Sequence, residues 1–222
     1  MNKIYTEEAT ANERIDLIEI IEDEDDSGPG YGTICFDPRY RRATWVGITL
    51  SIFSQLTGIN VIMFYSNILF KGLSMSNTSI TALIGVVNFI TPIIRLMLLM
   101  CFGRKTLMVT FNIGMTIVLI LLAVFSFYSE SIGMIICVLL FIAFFEFSSG
   151  TITWLYLAEI MQAKAIGIAT FLNWTVNLIV SIAVPYSVRA FHIGYIFLFL
   201  GIFTFIGTLI IIFLMIETKG KT

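Results

Sequence analysis

From residue 43 onward the chain is a succession of apolar runs separated by short polar turns. A helix needs about 20 consecutive apolar residues to cross a bilayer, and six such spans fit, drawn at 43–70, 79–101, 107–128, 132–157, 165–188 and 193–216. Composition agrees: 58% of the 222 residues are hydrophobic and 13% charged, against roughly 25% charged in soluble domains. The expected class is an all-α membrane protein with six transmembrane helices.

Charge divides the chain. Eleven of the fifteen acids precede residue 43, many of them in "MNKIYTEEATANERIDLIEIIEDEDD", and this segment lacks the basic and then apolar pattern of a signal peptide. Residues 1–42 therefore read as an acidic cytosolic tail and linker, 43–218 as the six-helix domain, and 219–222 as a cytosolic C-terminus. Arg39, Arg41, Arg42, Arg104, Lys105, Lys164, Lys219 and Lys221 fall on one side of the spans and only Lys71 and Arg189 on the other. That bias puts both termini in the cytosol and makes the protein multi-pass, in the plasma membrane or an endomembrane. Asn77-Thr78-Ser79 in the first outer loop is an N-glycosylation sequon. Cys35, Cys101 and Cys137 are scattered and suggest neither a disulfide framework nor a metal site.

Cutting the spans into two triplets shows a further order, because the first member of each is interrupted by polar and small residues: "SQLTGIN" in span one and "EFSSGTITW" in span four. Such interruptions at matching positions mark carriers built from inverted three-helix repeats with a midplane binding site. Gln55 and Asn60 are five positions apart, which turns them by roughly 140° from each other on a regular helix. A break at Gly58 would let both face one cavity; otherwise each bonds to a neighbouring helix.

Glu146 in "FFEFSSGTITW" is a carboxyl group deep in a span, which makes function its default reading. Ser149 and Thr153 follow at i+3 and i+7, on one face of a regular helix. Trp154 is either an interfacial anchor or an aromatic platform for a ligand. Span five carries Thr170, Asn173, Asn177 and Ser181 as a polar stripe. Asn88 adds an amide in span two. Arg95, in "TPIIRLMLL", either snorkels toward Arg104 or pairs with an acid.

The expected cavity is thus furnished by Gln55, Asn60, Asn88, Asn173 and Asn177. Each amide donates and accepts, as the hydroxyls of a vicinal diol do, so a neutral polyhydroxylated solute suits it better than a carboxylate or phosphate. His192 is the only histidine, and no triad, phosphate loop or metal-ligand cluster occurs. The chain is not expected to be an enzyme, nor to use a cofactor, metal or nucleic-acid partner.

"QLTGIN…FYSN", "GRKTL", "FFEF…G…I.W…AEI", "FLNWTVNLIV" and "ETKGKT", in this order, resemble the carboxy-terminal half of the sugar porters, the hexose transporters of the major facilitator superfamily. The resemblance runs from about residue 38 to the end and implies one half of a major facilitator fold. It implies that Gln55, Asn60, Asn88, Glu146, Trp154 and Asn177 stand at sugar-contacting positions, with Asn173 nearby. Phe64 and Tyr65 match aromatic positions that close the site from outside, with Gly58 as part of the gate. Arg104, Lys105, Glu159 and Lys164 resemble the cytosolic charges whose ion pairs lock the outward-facing state.

The sequence departs from that pattern in places. Ser54 replaces one of two adjacent glutamines, and Ser149, Thr151 and Thr153 stand where prolines are usual. Met100 and Cys101 replace an acid and an arginine, and Ile216 a proline. The resemblance implies a sugar carrier working with a second six-helix half, either a partner chain or a second copy, with a lipid bilayer around it. The competing expectation is a non-transporting sensor or accessory subunit, or a truncated gene product.

Overall fold

The computed structural model describes residues 30–63, 66 and 77–219, apart from some side chains early in the second span. Phe64, Tyr65 and the acidic segment 1–26 lie outside the described residues. All regular structure within them is helical: α1 (Tyr31–Phe36), α2 (Pro38–Leu56), α3 (Asn77–Cys101), α4 (Arg104–Tyr128), α5 (Ser131–Phe147), α6 (Ile152–Ile160), α7 (Ala163–Ala190) and α8 (Ile193–Leu214).

Among the described residues, five stretches are long and apolar enough to cross a membrane: Pro38–Met63, Arg104–Tyr128, Ser131–Ile160, Ala163–Ala190 and Ile193–Leu214. With α3 they make the six expected spans. The first and fourth are the interrupted ones, as the polar insertions foretold. Span one breaks at Thr57 and Gly58 and resumes at 59–63; span four breaks at 148–151 between α5 and α6.

Local chemistry explains several of the ends. Asp37 Oδ1 accepts from Arg39 N at 2.9 Å and Pro38 occupies the first turn of α2, the pattern of a capped helix start. α4 ends at Ser129, whose left-handed φ of 57° closes the helix. His192 caps α8 by accepting from Gly194 N at 3.2 Å. α1 lies inside the stretch expected to be a tail and linker, yet it packs on α2 and α7 through the fully buried Ile34.

The bundle packs α4 against α5 and α8, α2 against α6, α7 and α8, and α3 against α5 and α4. At residue 207, where α8 meets α2, an added Cβ would lie 1.9 Å from the Phe53 ring, so glycine sets that approach.

The core is two apolar clusters rather than one. Val61, Leu119, Phe141, Val184 and Phe197 belong to the first, and Leu50, Met108, Leu157, Ala169 and Ile211 to the second. Each spanning helix passes from one cluster to the other, and polar groups fill the interval. Gln55 and Gly58 lie there on span one, Asn112 on α4, residues 146–151 on span four, Asn173 and Asn177 on α7, and Thr204 and Thr208 on α8. A polar belt thus crosses the bundle at the level of both helix breaks.

Candidate functional site

The break in span one brings together the residues that a straight helix would hold apart. Gly58 adopts φ +99°, a conformation open to glycine and strained for other residues, and the helix restarts with Ile62 N donating to Gly58 O at 3.0 Å. Asn60 Nδ2 then reaches Gln55 Oε1 at 3.2 Å.

Gln55 is the hub. Its Oε1 also accepts from Asn177 Nδ2 at 3.1 Å, and its Nε2 donates to Asn173 Oδ1 at 3.0 Å. Asn173 Nδ2 donates in turn to Ser51 O at 2.7 Å and Ser54 Oγ at 3.2 Å. Asn173 is 1% exposed, so its amide holds Gln55 in place and is closed to a solute. Ser54 is likewise buried and bonded within the protein, donating to Ser51 O at 2.7 Å.

Gln55, Asn60 and Asn177 are half-buried and retain unused capacity. Asn60 keeps its Oδ1 and one N–H, Gln55 one N–H, and Asn177 one N–H and part of an Oδ1 that only Ser181 Oγ approaches, at 3.5 Å. Donors and acceptors therefore alternate without formal charge, the array that hydroxyl groups require. A cavity of about 250 Å³ between α2, α7 and α8 touches this cluster only at Gln55 and Gly58. Val184, Leu200 and Phe203 line the rest of it, so it is an apolar neighbour of the amide array.

Span four departs from the one-face expectation. Because the chain turns at 148–151, Glu146 and Ser149 face different neighbours. Arg95 Nη1 lies 3.7 Å from Glu146 Oε2, which resolves the two readings of Arg95 in favour of a pair. Ser149 Oγ donates to Asn112 Oδ1 at 3.0 Å, and the Thr153 hydroxyl is buried with no protein partner. Trp154, half-buried, packs against the second apolar cluster. Asn88 is exposed on α3 and makes no hydrogen bond to the amide cluster. Asn77 opens α3, and its side chain lies outside the described residues.

At the Arg104 end of the bundle, Arg104 Nη2 and Nε lie 2.9 and 3.0 Å from Glu159 Oε1. Lys105 Nζ donates to Ile212 O at 2.7 Å, where α8 nears its end, and Lys164 sits half-buried in the first turn of α7. Glu217, not among the expected charges, accepts from Arg104 N at 2.8 Å and caps α4, whose own Gly103 supplies no capping side chain. Tyr156 OH accepts from Ile216 N at 3.1 Å. Asn112 was also missed, although a lone amide inside an apolar span was signal enough.

Comparison with known proteins agrees with this architecture. Residues 3–222 match the family model described as sugar (and other) transporter. The arabinose-proton symporter of Bacillus subtilis is 34% identical over 197 residues, which are 84% of this chain and 42% of that protein. A facilitated trehalose transporter of Bombyx mori is 33% identical over 202 residues, 84% of this chain and 40% of its own length. A solved structure of the proton:xylose symporter of the major facilitator superfamily, bound to 6-bromo-6-deoxy-D-glucose, superposes with a TM-score of 0.76 at 30% identity. The match covers 87% of this chain and 43% of that one. The chain spans about two fifths of the length of these relatives. Six spans interrupted in the first and fourth, a polar belt at those breaks and a family match along nearly all of its length make this chain a multi-pass membrane protein of the sugar transporter family, with one half of the major facilitator fold.

Proposed function

We propose that the chain is the carboxy-terminal six-helix half of a sugar carrier, moving a hexose or similar neutral polyol by alternating access against a second six-helix half. The observation that carries this reading is the amide array of Gln55, Asn60 and Asn177 at the broken level of span one. Sugar hydroxyls bind to the open groups of that array, and Asn173 fixes its hub. Glu146 and Trp154 on span four and the exposed Asn88 on α3 contact the sugar outside the amide cluster, while Phe64 and Tyr65 close the site from outside with Gly58 as the flexible point.

Rocking of this bundle against its partner exposes the midplane site to either side in turn. Arg104, Lys105, Glu159 and Lys164 form the cytosolic lock, which must open in each cycle; a partly exposed pair such as Arg104–Glu159 is strong enough to bias a state and weak enough to break. Both termini then face the cytosol, in the plasma membrane or an endomembrane, and Asn77 stands on the side where glycosylation occurs.

Counterflow in proteoliposomes tests this directly, with the chain alone and with the segment of the arabinose symporter that it does not match. Sugar exchange in either arm is expected, and absence of exchange in both would sink the proposal. The buried, internally bonded Ser54 leaves the array one ligand fewer than paired glutamines would give, and this favours a sensor or accessory subunit as the second reading.

A further inference from the structure

Arg95 has no part in the roles above, yet an arginine within a membrane span is costly and needs a reason. Its side chain is 15% exposed. Rather than extending toward the end of α3, it turns to the break in span four. Nη1 donates to the Glu146 carbonyl at 3.3 Å and to the Thr151 hydroxyl, and it faces the Glu146 carboxylate.

These acceptors lie at opposite ends of the break. Gly150 N turns back to Phe145 O at 2.9 Å, which leaves the Glu146 carbonyl without its helical donor. Thr151 is the residue from which α6 begins. One guanidinium nitrogen therefore bridges the last turn of α5 to the first of α6 and ties both to α3. From α4, Asn112 holds the same segment through Ser149 at 3.0 Å. A proline at 151 would offer no hydroxyl to this bridge.

We infer that Arg95 is a positioning residue for transport: it clamps the break between α5 and α6 to α3 and orients Glu146, so that the three helices move as one unit. The part concerning transport rests on the carrier reading above. All of these contacts come from Nη1, while Nε is buried without a hydrogen-bond partner; the rigid, weakly hydrated guanidinium holds Nη1 in this position, whereas the compact, strongly hydrated ammonium of lysine on its flexible stem does not.

The test is hydrogen exchange across residues 146–154 of the full chain in nanodiscs, followed by sugar affinity and turnover in the reconstituted carrier. In Arg95→Met, exchange after the break should rise about tenfold, since local opening no longer breaks the bridge. Thr151→Val, which removes one arm only, should give a smaller rise and guards against misfolding of the first variant. Arg95→Lys should alter turnover by about threefold or more while affinity stays within about twofold, the split expected of a hinge rather than a ligand. Unchanged exchange in Arg95→Met and Thr151→Val would overturn the clamp. The same rise in Glu146→Gln as in Arg95→Met would overturn the bridge, because the carboxylate alone would then hold the segment. Faster exchange in a chain that moves no sugar in any form would leave the clamp standing and remove the transport role together with the carrier reading.

Discussion

Asn173→Ala should damage the stability of the amide cluster far more than Asn60→Ala, although Asn173 is closed to any solute. The change removes the bond from Gln55 Nε2 and the two made by Asn173 Nδ2, to Ser51 O and Ser54 Oγ. Each is worth about 0.5–1.5 kcal/mol net. Ser51 O and Ser54 Oγ still bond each other at 2.7 Å, and Gln55 is half-buried, so little is added for stranded groups. The three together come to about 1.5–4.5 kcal/mol. Gln55 would lose its tether, and with it the alignment of Asn60 and Asn177, so sugar affinity should fall by about tenfold or more. Asn60→Ala is the contrast: it gives up one bond of 3.2 Å, so it should cost about 1 kcal/mol or less while weakening sugar binding directly. Equilibrium unfolding in detergent micelles, followed by circular dichroism, measures the first quantity and sugar titration the second. Equal stability of Asn173→Ala and the parent chain, or an Asn60→Ala cost as large, would refute the hub arrangement.

Three further outcomes follow from the packing. Gly58→Ala places a Cβ at φ +99°, 2.6 Å from Leu200 Cδ1, and should destabilise the fold by about 2 kcal/mol or more in the same unfolding assay. Glu217→Ala removes the cap of α4 and should cost about 1 kcal/mol, whereas Glu217→Gln keeps an acceptor for Arg104 N and should recover most of it. Glu159→Gln weakens the pair with Arg104, so labelling of cysteines introduced at this end should speed up as the lock opens, and the reverse change would count against a locking role.

Periodicity and breakers made much of this architecture legible. Apolar runs located the six spans because lipid demands continuous helices. Small polar residues located both breaks, and Gly58 told how Gln55 and Asn60 could meet. What escaped did so for physical reasons. Glu146, Ser149 and Thr153 share a face only on an unbroken helix, and the turn at 148–151 resets the phase. In a bilayer both sides of a helix are apolar, so the pattern around Asn88 gave no sign that it stays exposed and apart from the amide cluster. Arg95 and Glu217 act through partners 51 and 113 residues away in sequence, separations that no local pattern reveals.

On the carrier reading, the amides of this bundle bind a neutral sugar. Its most direct test is equilibrium binding of radiolabelled pentoses, hexoses and trehalose to the chain in nanodiscs, alone and with whichever second half supports counterflow, each repeated with Gln55→Ala. Saturable binding of a neutral sugar is expected, weakened about tenfold or more by loss of the hub and not competed by the corresponding uronate. Absence of binding to every neutral sugar in the panel, or binding that Gln55→Ala leaves unchanged, would contradict it.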